Sequence, residues 1–314
     1  MHERFVGRSG LAVSRIGLGT ASWGRDTDQH EAAELFRLFV DAGGTLLDTA
    51  ASYSAGDSES LLGSLVADVR RDDVVLVSKA GSGAGARRPG TSRAAMLDSL
   101  DASLARLGTD HLDVWLVQGW DPRVPVDETL GALEHAVTTG RTRYVGVSNY
   151  TGWQTAYAHT RQAMRDLGAP VVAAEVEYSL LARQPEREVL PAAADLGFGV
   201  LAWSALGRGV LTGKYRYGMP ADSRAASDHL AGFVEPYLDE PARQVVEAVC
   251  RAADGLQLTP LEVALAWVRD RPGVASALIG PRTAAQLKAA LAVEEVTLPV
   301  EIVEALDDVS VEWI

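Results

Sequence analysis

Eight short apolar runs, most of them ending on a polar residue and separated by one amphipathic stretch, constrain this chain more than any other feature. They occupy residues 16–19, 45–48, 74–79, 114–118, 145–147, 171–175, 200–203 and 277–279. Runs this short, rich in Val, Ile and Leu and apolar nearly throughout, suit strands covered on both faces. The intervening stretches have helical period. In 31–40, Leu35, Phe36 and Phe39 fall on one face, and 93–107, 126–137, 152–167 and 261–268 continue the pattern. Strand–helix alternation implies parallel strands joined by crossover helices, and eight such units close into an α/β (β/α)8 TIM barrel. Residues 5–13, with Gly10 at a turn, read as an N-terminal β-hairpin capping the barrel floor.

Length alone would allow two domains, but barrels of this kind reach 314 residues as one. No repeat, low-complexity tract or linker breaks the pattern, so residues 1–314 are expected to form a single domain. The net charge of −13 and the lack of a basic run argue against nucleic acid as a partner. No apolar run approaches membrane-spanning length, and no charged-then-apolar leader pattern opens the chain. The single cysteine, Cys250, suits a reducing compartment and reads as a buried structural thiol. The expectation is a cytoplasmic protein with a small-molecule substrate, no membrane partner, and a homo-oligomer left open.

Several tempting motifs carry little. The cluster Gly81-Ser-Gly-Ala-Gly85 lacks the spacing of a dinucleotide fingerprint and does not lead straight into a helix. Gly209-Val-Leu-Thr-Gly213-Lys214 is one residue short of a P-loop and lacks the Ser or Thr after its lysine. The six histidines are scattered singly, and no metal site is expected. Two connections are long: 80–91, rich in Gly and Arg, and 214–240. In such a scaffold these are lids or ligand-contacting segments.

The chemistry collects where the strands end, because a barrel active site lies at the carboxyl ends of its strands. Asp48 closes the second run and Tyr53 follows it. Lys79 closes the third, Gln118 the fourth, Ser148 and Asn149 follow the fifth, Glu175 closes the sixth, and Trp203-Ser204 closes the seventh. A salt bridge is the plain explanation for Asp48 and Lys79 alone, but it leaves the recurrence on successive strands unexplained. Asp, Tyr and Lys converging in one mouth make an acid–base device. A tyrosine of ordinary pKa about 10 is expected to be made more acidic by a neighbouring ammonium, which the carboxylate keeps charged.

At these residues the sequence closely resembles the aldo-keto reductases along essentially its whole length. The motifs GLGTASWG, DTAASY, SKAG, ALEHAVTTGRTRYVGVSNY, EVEYSLLAR, AWSALGRGVLTGKY, MPADSRA and IGPRTAAQL occur in the family's order. The resemblance implies a barrel, NADPH (NADP+) as cofactor, and no metal. Asp48, Tyr53 and Lys79 match three catalytic positions, with Gln118 at the fourth. Trp203 matches the residue that stacks on the nicotinamide, and Ser148, Asn149 and Glu175 match those at its carboxamide. Gly19 and Thr20 line the site. Ser204, Leu206, Gly209 and Lys214 match the pyrophosphate and ribose contacts, and Gly280, Arg282 and Gln286 the adenosine end. Lys214, Arg224 and Arg282 are the cations for a 2′-phosphate, as guanidinium geometry suits. Trp23 and Trp120, with Tyr53, would wall a substrate pocket within reach of Trp313 from the tail, and core or rim packing is an equal reading of these tryptophans.

The sequence departs from the family at three points. Gln118 stands where histidine is usual and can donate a hydrogen bond but carry no proton. Glu175 stands where glutamine is usual. Ala289 and Ala290 replace polar adenine contacts. The leading expectation is an NADP(H)-dependent oxidoreductase that reduces a small aldehyde, ketone or keto-sugar with Tyr53 as general acid. The alternative is an NADP(H)-binding regulatory or partner subunit with little turnover. A barrel enzyme of unrelated chemistry is the third reading.

Overall fold

Runs that are apolar on both faces have one economical arrangement, a sheet closed on itself and wrapped by helices. The computed structural model, which describes residues 1–82, 90–165, 168–221, 223–227 and 230–313, shows this closure. A two-stranded antiparallel hairpin of β1 (Glu3–Phe5) and β2 (Ala12–Ser14) precedes the barrel. The barrel strands are β3 (Ile16–Gly19), β4 (Leu46–Asp48), β5 (Val75–Ala80), β6 (Leu112–Val117), β7 (Thr142–Ser148), β8 (Val171–Glu177), β9 (Gly199–Trp203) and β10 (Val274–Ile279). They pair in parallel in chain order, and β10 pairs with β3 to close the ring. Among the described residues, no helix is long and apolar enough to cross a membrane.

Alternation along each strand decides what the barrel interior holds. Leu47, Leu76, Trp115, Val117, Val145, Val147, Ala174 and Val176 point outward and pack under the helices. Leu46, Val77, Val114, Leu116, Leu201 and Leu278 point inward and form a second, separate apolar cluster. Continuing that inward phase by two residues reaches Asp48, Lys79, Gln118, Trp203 and Gly280. The same phase places Gly19, Ser148 and Glu175 inward. One period-2 rule therefore lifts these expected site residues together above an apolar plug.

The helices follow from caps and stripes. Helix Gln29–Asp41 starts at Asp28, whose side chain accepts from the His30 and Glu31 amides, and it buries Ala32, Leu35, Phe36 and Phe39. Helix Gly152–Ala163 starts in a capping box of Thr151 and Gln154. Its described end, with Met164 as cap, lies before the expected 167, and Asp166 and Leu167 fall outside the described residues. Helices Asp57–Val66, Arg93–Leu107, Val126–Thr138, Val189–Leu196, Glu240–Leu256, Pro260–Arg269, Ala284–Leu291 and Val300–Val309 continue the coat. The connection 214–240 contains short helical turns at Arg224–Ala226, Ala231–Val234 and Glu235–Tyr237. Much of 80–91, including Gly83 and Gly85, lies outside the described residues, as do Asp222, Asp228 and His229. Cys250 is buried on its helix, as expected.

The hairpin closes the barrel floor, with Val6, Leu11 and Val13 packed into the inner apolar cluster. Its strands run over 3–5 and 12–14, so the loop is longer than the 5–13 reading implied, and it turns at Gly7 (φ +58°) rather than at Gly10. The Arg8 amide donates to the Gly197 carbonyl at 2.8 Å, docking the hairpin under β9. A methyl group on Gly7 would overlap the Gly197 carbonyl oxygen and come within 2.5 Å of the Phe198 carbonyl carbon. Both the left-handed backbone and the contact oppose a side chain there. Gly7→Ala is expected to lower the unfolding free energy by roughly 2–4 kcal/mol, read from the shift of the denaturant midpoint.

Candidate active site

The mouth of the barrel is built around one buried ammonium. Lys79 on β5 is 2 % exposed. It donates to the Asp48 carboxylate on neighbouring β4 and to Glu175 Oε2 on β8 at 3.0 Å. In the ring, β8 lies four strands from β4, directly across the barrel, so Lys79 ties opposite walls of the mouth together. Tyr53, half-buried in the turn after β4, holds its ring centroid 5.4 Å from the same ammonium.

Two carboxylates around one ammonium leave an excess negative charge in a place that water does not reach. Burial is the largest influence on Glu175, and the neighbouring Asp48 charge adds to it. Together they outweigh Lys79 and push the Glu175 carboxyl up to about 8. Asp48 is also raised, by burial, with Lys79 opposing. Lys79 itself is raised, because the two carboxylates overcome its own desolvation. The Tyr53 phenol moves the opposite way from the sequence expectation. Burial is the main cause, Asp48 and Glu175 add to it, and Lys79 offsets them only in part, so the phenol stays protonated well above its ordinary range. The expectation counted the ammonium and one carboxylate and left out burial, the largest influence, as well as the second carboxylate.

Around this centre the other expected residues divide. The Gln118 side-chain amide exchanges hydrogen bonds with the Ser52 hydroxyl at 3.0 and 3.1 Å, which turns it toward the Tyr53 segment. The Asn149 amide donates to the Gln118 carbonyl (3.0 Å) and accepts from the Trp203 indole (3.1 Å), so the ends of β6, β7 and β9 are stitched together. Ser148 is buried beneath it and bonded to it at 3.2 Å. Glu175, expected at a carboxamide, has its carboxylate engaged by Lys79, with the Asp48 charge nearby. Thr20 is fully buried; its amide and hydroxyl donate to the Asp48 carbonyl at 2.9 and 3.0 Å, bracing the catalytic turn from behind. Gly19 runs so close to β10 that a Cβ there would lie 3.3 Å from the Ile279 carbonyl. Trp23, expected as a pocket wall, is 0 % exposed and belongs to the core, so it presents no surface to the mouth. Trp120 is half-buried and stacks edge-on with Tyr150 and Trp153 at 5.3 and 5.4 Å. Trp313 packs edge-on against Tyr237 at the rim, 5.7 Å away.

The remaining expected positions form a second cluster beyond β9 and β10. Ser204 (φ +54°) and Leu206 lead into a 3-10 turn over Gly207–Thr212 that contains Gly209 (φ +93°), and a Cβ on Gly209 would lie 3.1 Å from the Lys214 ammonium. Arg224 donates to the Gly280 carbonyl at 2.7 Å. Its guanidinium is lowered from its usual value, first by burial and then by the positive charge of Arg282. The Gln286 side chain accepts from the Arg282 amide at 2.9 Å.

Backbone strain marks the same region. Of the six described non-glycine residues with positive φ, five follow β4, β7 or β9: Ser54, Ala55, Asn149, Ser204 and Arg208. Each such conformation costs roughly 1–3 kcal/mol, and such strain clusters at functional sites. Ser52, Tyr150, Trp153 and the Arg208–Glu177 pair were not singled out from sequence. Only Glu177 had a signal available, being two residues beyond Glu175 on a strand.

Comparison with known proteins agrees with this geometry. A family model described as "Aldo/keto reductase family" matches residues 15–311. The "uncharacterized oxidoreductase YrpG" of Bacillus subtilis is 35 % identical, with 98 % of this chain and 96 % of that protein covered. A "putative voltage-gated potassium channel subunit beta" of Schizosaccharomyces pombe is 33 % identical over 88 % of this chain and 83 % of its own length. A "probable voltage-gated potassium channel subunit beta" of Arabidopsis thaliana is 32 % identical over 92 % and 89 %.

The raised Glu175 carboxyl makes stability depend on pH. Its folded value, about 8, exceeds the ordinary 4.5, so its contribution is complete below 4.5 and is lost as pH rises through 8. Glu175→Gln is expected to remove that loss. The stability difference between variant and wild type should shift in the variant's favour by ~1 kcal/mol per pH unit across that window, measured by urea unfolding at several pH values.

Proposed function

Because this chain belongs to the aldo/keto reductase family and is an oxidoreductase of that type, we propose that it reduces a small aldehyde, ketone or keto-sugar with NADPH, reversibly. The observation that carries this reading is the convergence of Asp48, Tyr53 and Lys79 on one buried charge cluster at the carboxyl ends of the strands.

The second cluster supports a phosphorylated nucleotide. Arg224 and Arg282 repel each other, and burial disfavours the charge on Arg224, so a polyanion between them relieves both penalties. Gly280 admits the Arg224 guanidinium to within 3.2 Å of where a Cβ would stand, and Gly209 admits Lys214 in the same way. Arg282, Gln286 and Gly280 would hold the adenosine end, Ser204, Leu206 and Lys214 the pyrophosphate. Trp203, its indole fixed by Asn149, would flank the nicotinamide ring. When bound, the nicotinamide supplies or accepts the hydride.

The chain's own residues handle the proton. Tyr53 donates from its phenol oxygen to the carbonyl oxygen. Its high proton affinity suits it to an alkoxide-like oxygen, which is more basic still, and Lys79 stabilises the phenolate left behind. Gln118, oriented by Ser52, donates a hydrogen bond that positions the carbonyl without taking part in proton transfer. Trp120, backed by Tyr150 and Trp153, offers an aromatic wall for the substrate.

A second reading, an NADP(H)-binding partner subunit with little turnover, draws on the channel subunits beta among the relatives and on Gln118 at the fourth catalytic position. NADPH consumption with a panel of aldehydes, diketones, quinones and keto-sugars separates the two. Tyr53→Phe is expected to lose roughly 10²–10⁴ in turnover while still binding NADPH. Full activity in that variant, or tight nucleotide binding without turnover on any carbonyl, sinks the reductase reading. Arg224→Ala is expected to weaken NADPH at least ~10-fold more than NADH, measured by fluorescence titration of both nucleotides.

A further inference from the structure

We propose that Glu175 is the proton store of this site, a positioning residue that returns a proton to Tyr53 through Lys79 after each reduction. The inference rests on the reductase reading for the step it serves, but the proton it places on Glu175 belongs to the resting protein.

The geometry comes first. Lys79 meets both carboxylates, Asp48 and Glu175 Oε2 at 3.0 Å, and its ammonium lies 5.4 Å from the centroid of the Tyr53 ring. Glu175 and Asp48 both meet this one ammonium, so two carboxylates share a single positive charge in the same buried space. All of this is sealed, with the Lys79 and Glu175 side chains 2 % and 3 % exposed. The charged groups facing Glu175 are Asp48 from β4 and Lys79 from β5, with Tyr53 beyond. The strands paired with β8 present Ser148 and Leu201 at its register, neither charged. Burial and the neighbouring carboxylate make Glu175 the group that holds the proton. Gln118, across the mouth, holds none to give.

The step balances without any further reactant. After Tyr53 has given its proton to the carbonyl oxygen, a phenolate stands beside the Lys79 ammonium. One N–H proton passes from Nζ to the phenolate oxygen as the proton on the Glu175 carboxyl passes to Nζ. Tyr53 ends as phenol, Lys79 again as ammonium, and Glu175 as carboxylate, which later regains a proton from solvent. The transfer runs from a carboxyl to a far more basic phenolate and is downhill. Protonated Glu175 also removes one of the two negative charges that oppose phenolate formation at Tyr53. Both effects make the protonated form the active one.

The test combines two titrations of the resting protein with one of turnover. Infrared spectroscopy should show a protonated carboxyl that disappears around pH 8 in wild type and is missing in Glu175→Gln. The ring-carbon resonance of Tyr53, assigned by its loss in Tyr53→Phe, should move over the same pH range in wild type and stay still in Glu175→Gln. With a carbonyl substrate, wild-type kcat should fall ~tenfold per pH unit above that range, and Glu175→Gln should show a lower kcat without that limb. A carboxyl signal that survives in Glu175→Gln, a Tyr53 resonance indifferent to the carboxyl titration, or a kcat limb that survives in the variant overturns the proposal. If wild type turns over no carbonyl, the reductase reading fails alone, because the two resting-state titrations still decide where the proton sits. Their coincidence in wild type is decisive even if the variant does not fold.

Discussion

The site depends on the burial of Lys79 between two carboxylates drawn from opposite walls of the barrel. An ammonium removed from water is tolerated only when it is paired and its donors are satisfied, and removing one partner of a buried pair typically costs about 3–5 kcal/mol. Here a third charge enters the same sealed space, so the cluster lowers its own energy by neutralising one member. The barrel makes this possible because its strands are locked to their neighbours by continuous pairing. Opposite strands then present their side chains at a fixed separation. A less rigid frame would let Glu175 swing away to water, and the excess charge would vanish along with its chemistry.

The rigid ring also explains where the strain sits. Strand interiors follow ordinary β geometry, while the residues just past β4, β7 and β9 adopt left-handed backbone conformations that non-glycine residues seldom use. The turn through Ser54 and Ala55 follows directly on Tyr53, and Ser54 donates to the Trp23 carbonyl at 2.7 Å. Trp23 therefore serves the site from within the core, as the fixed post that holds the strained turn in place. Thr20, bonded to the Asp48 carbonyl and to Ser58, does the same from the other side.

How much of this was legible in the sequence follows from the range of the interactions involved. Strand phase is local, and a period of two read from apolar residues carries Asp48, Lys79 and Glu175 to the inner face without any knowledge of their neighbours. Trp115 and Val117 against Val114 and Leu116 show the same rule operating. Helix Asp57–Val66 was not legible because its buried face begins with Ser58 and Glu59. Glu59 is buried only because Ser78 and Arg106 meet it, Ser78 at 2.5 Å and the Arg106 Nε at 2.8 Å, from other elements. Trp23 carried no periodic signal, and an aromatic residue near a strand end reads equally well as wall or core. The rise of the Tyr53 phenol was not legible for a related reason. Burial, its main cause, and the second carboxylate that adds to it both arise only in the folded barrel. Lys79 and Glu175 are 96 residues apart, and nothing local to either says that they share a hydrogen bond.

β8 shows how one strand serves both the chemistry and the anchoring of a neighbouring segment. Glu175 and Glu177 share the inward phase, but one lies at the bottom of the mouth and the other at its rim, and depth alone separates their roles. The buried one meets an ammonium it must share and holds a proton. The one at the rim meets a guanidinium of its own, with Arg208 gripping Glu177 through two hydrogen bonds of 2.7 Å. Arg208 also stacks on Phe233 and Tyr237, 4.1 and 4.7 Å from the ring centroids, and donates to the Phe233 carbonyl. The segment around 233–237 is thereby clasped to the strand that carries Glu175. A bidentate pair with partial solvent access resists rotation more than it adds stability. Its contribution is alignment: it fixes the 233–237 segment against the strand that carries Glu175.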